Sequence, residues 1–174
     1  MRAAIATDTP DDHRALVRER KAQLAHMSEI VPPPVLGTPP AGPPPGDPLG
    51  TALTKFFGWG PPPELEPGVL RGNAGSPGTV RGRARVIRSL AEAGALQAGE
   101  VLVARTTAPP WTPLFATAAA VVTDTGGVLS HSAVVAREYG IPAVVGTLAA
   151  TQMLRDGQLL EVDGDAGIVT VIEE

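Results

Sequence analysis

The chain has 174 residues, 18 acidic and 14 basic, with no cysteine, 20 glycines and 19 prolines. Without cysteine there is no disulfide framework, thiol nucleophile or thiolate metal site, and a reducing compartment is the default. A net charge of −4 and only 3% aromatic residues argue against nucleic acid as a partner. No apolar run reaches the roughly 18 residues of a membrane span. The composition predicts a soluble, cytoplasmic protein that binds neither nucleic acid nor membrane.

Residues 1–30 have the pattern of one helix. Thr9 is placed to cap it, Pro10 suits the first helical position, and acidic residues follow in the positive first turn. The apolar stripe is narrow, and so this helix needs another surface to pack on. His13 and His26 are not at a metal-ligand spacing, and we interpret them as solvated residues.

Residues 31–67 are predicted to be a Pro-rich linker, because thirteen of the 19 prolines lie there. Proline lacks the N–H that a sheet needs and makes its predecessor extended, so a polyproline-like, semi-rigid tether is expected. Residues 53–59 hold two of the three phenylalanines and one of the two tryptophans. We interpret them as a hydrophobic patch that attaches the linker to a neighbour; a docking peptide or part of a substrate pocket is the alternative.

Residues 68–174 have a globular pattern in which strands alternate with short helices, which predicts an α/β domain of about 105 residues. A turn at residues 75–78 is expected between the first two strands. The predicted strands are residues 69–72, 79–87, 101–104, 119–123, 143–145, 159–162 and 168–172. The predicted helices are residues 89–97, 111–118, 132–139 and 149–155.

The segment with the clearest chemistry follows the predicted strand that ends at Thr123. A Gly-Gly loop leads to His131 at the start of an apolar helix, where free backbone N–H groups and the positive end of the helix dipole gather. A cationic imidazolium gains nothing there, whereas a neutral imidazole that acquires a phosphoryl group becomes anionic and is stabilised. The position favours a phosphohistidine over a metal ligand or a general base. A capping or core histidine beside an ordinary glycine turn is the alternative.

The residues around His131 predict a phosphate site without a metal. The glycines let the backbone approach the phosphate, and the hydroxyl groups can donate hydrogen bonds to it. The predicted phosphate-binding residues are Thr125, Gly126, Gly127, Ser130 and Ser132. Arg105 and Arg137 are candidates for electrostatic support.

The PEP-utilising enzymes have a phosphohistidine signature that residues 126–146, GGVLSHSAVVAREYGIPAVVG, closely resemble. The flanking segments 74–84, 106–115 and 156–164 look like other parts of the same domain, and so the resemblance covers roughly residues 68–172. Within the family, residues 111–115 and 129–131 look closer to rifampicin phosphotransferase than to PEP synthase. That similarity favours an acceptor other than pyruvate.

The resemblance implies a swivelling β/β/α phosphohistidine domain. In such enzymes an ATP-grasp domain transfers the β-phosphoryl of ATP to the histidine, giving AMP and phosphate, and the mobile domain then phosphorylates an acceptor at a second site. His131 carries over as the phosphoryl carrier, and Gly126 and Gly127 carry over as part of the phosphate cradle. The implied partners are an ATP-grasp protein or domain and an acceptor-binding protein or domain. ATP and Mg are implied on the partner, with no cofactor bound by this chain.

Two departures from the family pattern matter. Dikinases have a regulatory threonine two residues before the histidine, where this chain has Leu129, so regulation by phosphorylation there is not expected. No ATP-grasp domain or acceptor pocket fits in 174 residues. The chain therefore resembles the C-terminal end of a larger enzyme, either as a stand-alone subunit or as a fragment.

Two other functions stay open at this point. The first is an interaction or regulatory module derived from a swivelling domain, and the second is a phosphocarrier of PEP-dependent sugar transport. A separate group of arginines on residues 71–88 includes Arg81, Arg83 and Arg85, which alternate onto one strand face. This face is interpreted as a solvated surface or as a docking surface for a nucleotide-bearing partner.

Overall fold

The computed structural model describes residues 13–30, 46–57 and 67–173. Helix α1 (Arg14–Glu29) confirms the predicted N-terminal helix over these residues, and all of them are exposed. Thr9 and Pro10, the expected first residues of the helix, lie outside the described residues. Helix α1 belongs to a unit formed by Met1–Ala41, and Gly42–Glu174 form a second unit.

A second helix, α2 (Pro48–Phe57), lies inside the segment predicted as an extended spacer, and that prediction is wrong at these residues. Pro48 suits the first turn, where its missing N–H is not needed. The Leu49 N–H donates to Asp47 Oδ1 at 3.1 Å, and the Thr51 N–H donates to the Asp47 carbonyl at 3.1 Å. Asp47 therefore caps the helix. The predicted hydrophobic patch at residues 53–59 lies partly on α2 and partly outside the described residues.

The remaining elements confirm an α/β fold. Strands β1 (Val69–Arg71), β2 (Asn73–Ser76) and β3 (Thr79–Val86) are followed by a 3₁₀ helix at Leu90–Ala95 and by β4 (Val101–Ala104). A second 3₁₀ turn at Pro109–Trp111 leads into α3 (Thr112–Phe115), β5 (Ala120–Thr123) and α4 (His131–Tyr139). The last elements are β6 (Ala143–Val145), α5 (Ala150–Met153), β7 (Leu159–Asp163) and β8 (Ile168–Glu173). Among the described residues, no helix has both the length and the apolar composition to cross a membrane.

The eight strands form one mixed sheet in the order β1-β8-β7-β3-β4-β5-β6-β2. Strands β3, β4, β5 and β6 are parallel, and the other neighbouring pairs are antiparallel. Strand β3 joins the two halves, because Thr79–Arg83 pair with β7 and Ala84–Val86 pair with β4. The carboxyl ends of β4 and β5 therefore meet at one edge, where ligands bind in parallel α/β sheets.

The two edge strands, β1 and β2, are consecutive in the chain, with only Gly72 between them. The sheet must therefore curl until its edges meet. Sequence reasoning missed β2, since the turn predicted at residues 75–78 overlaps it. Its partner is β6, about 70 residues further along the chain, and two of its four residues are Asn and Gly, which are poor strand formers.

Two hydrophobic clusters cover the two faces of the parallel strands. On β4, Val101 and Val103 belong to the first cluster, with Leu160 and Val162 of β7. Leu102 belongs to the second cluster, with Phe115 of α3 and Val135 of α4. Because successive strand residues face opposite sides, both sides of β4 are buried. The second cluster fixes α3 and α4 against the sheet.

Candidate functional site

Helix α4 begins where the loop after β5 ends, at His131. Ser130 is the N-cap residue, with an extended backbone (φ −66°, ψ 157°), and its Oγ accepts a hydrogen bond from the Ala133 N–H at 3.4 Å. The Ser130 carbonyl accepts from the Val134 N–H at 3.0 Å. The helix ends at Tyr139, as the predicted range of residues 132–139 has it, and Gly140 follows with a φ of 67°, in the left-handed region. Ser130, predicted from the sequence only as a phosphate-binding residue, thus fixes the start of α4, and Gly140 closes its end.

His131 lies partly buried at the first position of α4. Its Nε2 is buried and has no hydrogen-bond partner within the described part of the chain. The imidazole meets the ring of Phe115 edge-to-face, with centroids 6.3 Å apart and planes at 77°. One nitrogen of the predicted nucleophile is therefore in an apolar environment and unpaired.

The segment 106–115 holds the first turn of α4 at two points. The Thr107 and Ser132 hydroxyl groups, both buried, share a hydrogen bond of 2.9 Å. The second point is the Phe115–His131 ring contact. Ser132, predicted as a phosphate ligand, thus has a protein partner. Sequence reasoning missed Thr107, whose only signal was its place in this segment.

Gly126 lies where no other residue fits without strain. Its φ is 124°, and a Cβ would lie 2.8 Å from Ser130 Oγ. Its carbonyl accepts a hydrogen bond from Asn73 Nδ2 at 3.2 Å, and a Cβ on Gly146 would approach that carbonyl at 2.5 Å. The glycine loop is therefore packed tightly against the ends of β2 and β6. Gly127 is buried beside it.

The two predicted arginines have different surroundings. Arg137 donates to the Gly75 carbonyl at 2.6 Å and to the Val128 carbonyl at 2.7 Å, so its guanidinium ties the loop before α4 to β2. Arg105 follows β4, and its side chain is exposed. Its carbonyl accepts hydrogen bonds from the N–H and hydroxyl groups of Thr125, at 3.0 and 3.1 Å.

Asp124 is a buried residue of this edge that sequence reasoning missed. It follows β5 directly and is 5% exposed. Its Oδ1 accepts a hydrogen bond from the Thr151 N–H at 2.8 Å, and its Oδ2 accepts from the Thr151 hydroxyl. Asp124 therefore fixes α5 to the edge that carries the loop. The sequence signal that could have identified Asp124 is an acidic residue placed directly after a buried strand.

Each arginine of the β3 face has a hydrogen-bond partner within the domain. Arg81 pairs with Glu161 at 2.7 Å, and Arg83 donates to the Gly157 carbonyl at 2.7 Å. Arg85 pairs with Glu100 at 2.7 Å. The hydrogen bond from Arg85 lowers the pKa of Glu100 below its ordinary value and outweighs burial, which acts to raise it. These partners favour a solvated, ion-paired face over a docking surface.

Among the residues that the structure describes, no group of three or more His, Asp or Glu side chains could hold a metal ion.

Comparison with known proteins shows which family and which relatives this chain is similar to. Residues 96–167 match the family described as "PEP-utilising enzyme, mobile domain". Over 160 residues the chain is 52% identical to chondramide synthase cmdD of Chondromyces crocatus, covering 92% of this chain and 4% of that protein. It is 43% identical over 157 residues to a rifampicin phosphotransferase of a Streptomyces species, covering 90% of this chain and 16% of that protein.

A further relative is the phosphoenolpyruvate synthase of Aeropyrum pernix, which is 49% identical over 102 residues, covering 58% of this chain and 12% of that protein. The chain thus spans less than a fifth of the length of each of these relatives.

Proposed function

Residues 96–167 match the mobile domain of the PEP-utilising enzymes, and from this premise we propose that His131 carries a phosphoryl group from ATP to an acceptor. In this proposal residues 68–174 are the carrier, and the segment 31–67 tethers it. The phosphoryl donor is an ATP-grasp domain or subunit that holds ATP and Mg. The acceptor is a small organic hydroxyl compound or pyruvate.

The observation that carries this proposal is the position of His131 as the first residue of α4. Ser130 takes up the N–H groups of Ala133 and Val134. Within the described part of the chain, the N–H groups of His131 and Ser132 have no acceptor, as is usual in a first helical turn. A phosphoryl group on the imidazole brings negative charge to this end of the helix, where the dipole and the free N–H groups stabilise it.

The transfer requires a neutral imidazole and in-line attack on the phosphorus. The lone pair of one ring nitrogen forms a bond to the β-phosphorus of ATP, and the bond from that phosphorus to the α-phosphate oxygen breaks, so that AMP leaves. Water then removes the γ-phosphoryl as phosphate. Attack of the acceptor hydroxyl on the remaining phosphorus releases the imidazole again.

The residues around His131 have different roles in this transfer. The Ser130 oxygen accepts a bond from the helix, which leaves its O–H group to donate to the phosphoryl group. Gly126 and Gly127 admit the phosphate close to the backbone, with Thr125 and Ser132 at the sides of the loop. Arg105 provides exposed positive charge, and Arg137 acts by keeping the loop in place.

The test is to incubate the chain with its ATP-grasp partner and ATP labelled at the β-phosphorus. We expect an adduct on this chain that is labile in acid, with a stoichiometry near one, while label at the γ-phosphorus appears as free phosphate. Phosphohistidine has this lability, whereas phosphate esters of serine and threonine survive acid.

The matched controls are two histidine variants. His131→Ala should abolish labelling, and His26→Ala, a change at an exposed helix histidine, should leave it unchanged. The proposal would be refuted by an unlabelled wild-type chain beside an active partner, or by a His131→Ala chain that is labelled normally. Loss of labelling without loss of partner binding separates a carrier from an interaction module.

A further inference from the structure

The ring of Phe115 belongs to a rigid part of the molecule. Phe115 is 1% exposed in the second hydrophobic cluster, together with Trp111 and Val135. Prolines 109, 110 and 113 restrict the backbone that leads to it. On its other side, the Tyr139 ring lies 6.3 Å away at a tilt of 46°. Phe115 is thus fixed between the first and last residues of α4.

The imidazole of His131, in contrast, is not held by a hydrogen bond at Nε2. This atom is buried and has no hydrogen-bond partner among the described residues. An unpaired polar atom in an apolar environment is costly in free energy. A buried polar atom stays unpaired only where the surrounding structure holds it in that position, and such atoms are found at functional sites. The aromatic ring beside this imidazole is that of Phe115, in edge-to-face contact.

We propose that Phe115 is a positioning residue for His131, which keeps Nε2 away from water in the resting domain until the imidazole turns outward to meet a phosphoryl donor. This inference rests on the proposed function, in which a ring nitrogen of His131 is the nucleophile. In-line attack needs space beyond that nitrogen, and a buried Nε2 does not have it. Outward rotation of the imidazole exposes Nε2 to solvent, where water can hydrogen-bond to it. The same rotation brings Nε2 toward the free N–H groups at the start of α4.

The role of this contact is protection of the nucleophile. While the ring is turned inward, water and small electrophiles cannot reach Nε2. The reaction rate of Nε2 is therefore proportional to the fraction of time that the ring spends outward. Docking of a donor that contacts the outward ring shifts that population. The segment 106–115 thereby acquires a function, since it both holds Ser132 and covers His131.

The experiment measures how fast diethyl pyrocarbonate acylates each histidine, by peptide mass mapping of the full chain at neutral pH. The reagent can acylate either ring nitrogen of an accessible imidazole, so the His131 rate is taken from the Nε2-acylated product, which NMR of the isolated peptide distinguishes from the Nδ1 product. His13 and His26 are exposed and serve as internal standards. We expect His131 to react about tenfold more slowly than they do, or slower still, because local opening limits its reaction.

The decisive variant is Phe115→Leu, which removes the ring but keeps most of the apolar volume. It should bring the His131 rate to within about threefold of the standards, since opening no longer limits it. The control is Ile87→Val in the same cluster, a small core deletion away from the ring contact. Ile87→Val should leave His131 protected even where both variants lose similar thermal stability.

Three results would overturn the inference: a wild-type His131 as reactive as His26, unchanged protection in Phe115→Leu, or equal deprotection in Ile87→Val at matched stability. The assay needs no ATP and no partner. Its outcome is therefore independent of the β-phosphoryl labelling, and failure of one proposal can be told from failure of the other.

Discussion

Arg85 and Glu100 show how single residues give the sheet a charge-dependent stability. Their side chains are only 24% and 12% exposed, against 66% and 37% for the Arg81–Glu161 pair. Two hydrogen bonds of 3.0 and 2.7 Å join the guanidinium to the carboxylate, which also accepts from the Gln97 N–H at 2.8 Å. The pair connects β3 to the start of β4, where the parallel part of the sheet begins.

Replacing Glu100 by Gln should therefore destabilise the fold in a pH-dependent way. The pKa of Glu100 is lowered on folding, so its stabilisation is present above the unfolded pKa of about 4.3 and is lost as the pH falls through the folded pKa. We expect Glu100→Gln to lower the free energy of unfolding by about 1–2 kcal/mol at pH 7, with a smaller difference near pH 3. Urea denaturation at both pH values measures this.

The control for that experiment is Glu138→Gln, which changes an exposed glutamate of α4. It should alter the free energy of unfolding by no more than about 0.5 kcal/mol at either pH. A Glu100→Gln deficit that does not shrink in acid would mean that packing, and not the charge of Glu100, accounts for the loss.

At the scale of elements, α4 depends on how its C-terminus is closed. Gly140 has a φ of 67° and lies in open space, with nothing within 4 Å of the position that a Cβ would take. Substitution there changes only the conformational energy, because no neighbour is displaced. Gly140→Ala should lower the free energy of unfolding by about 1 kcal/mol, the cost of a left-handed conformation for a non-glycine residue.

Gly94 is the matched control for this prediction. It also has open space around its Cβ position, but its φ is outside the left-handed region. Gly94→Ala should be neutral or stabilise the fold by up to about 1 kcal/mol, through the unfolded state. Thermal unfolding of both variants measures the difference. Equal effects at the two positions would contradict the conformational explanation.

At the scale of the whole molecule, the closure of the sheet at Gly72 is the critical feature. A Cβ there would lie 2.7 Å from the Val145 carbonyl oxygen and 2.9 Å from Val144 Cγ1. Gly72→Ala must therefore displace the backbone of β6, and we expect a loss of about 1–3 kcal/mol, measured against Gly94→Ala in the same denaturation series. A neutral Gly72→Ala would mean that the two edges of the sheet are not held this closely.

The sequence predicted well those parts that local chemistry controls. Helix α4 and the strands around it follow from apolar periodicity and glycine placement, and the spacing of Gly126, Gly127 and His131 predicts the candidate site, which stays a prediction. Helix α2 was missed because the surrounding prolines suggested an extended chain. Strand β2 was missed because its pairing with β6 is distant in sequence.

By itself, then, the sequence determined the α/β class, the resemblance of its second half to a known mobile domain and His131 as the candidate nucleophile, because residue order encodes periodicity and motif spacing. Only the tertiary structure decided that Phe115 meets His131, that Thr107 bonds Ser132, that Arg137 ties the loop to β2, and that β1 and β2 close the sheet. The reason is physical. These contacts join segments that are far apart in the chain, and which segments meet depends on how the whole sheet curls around its core.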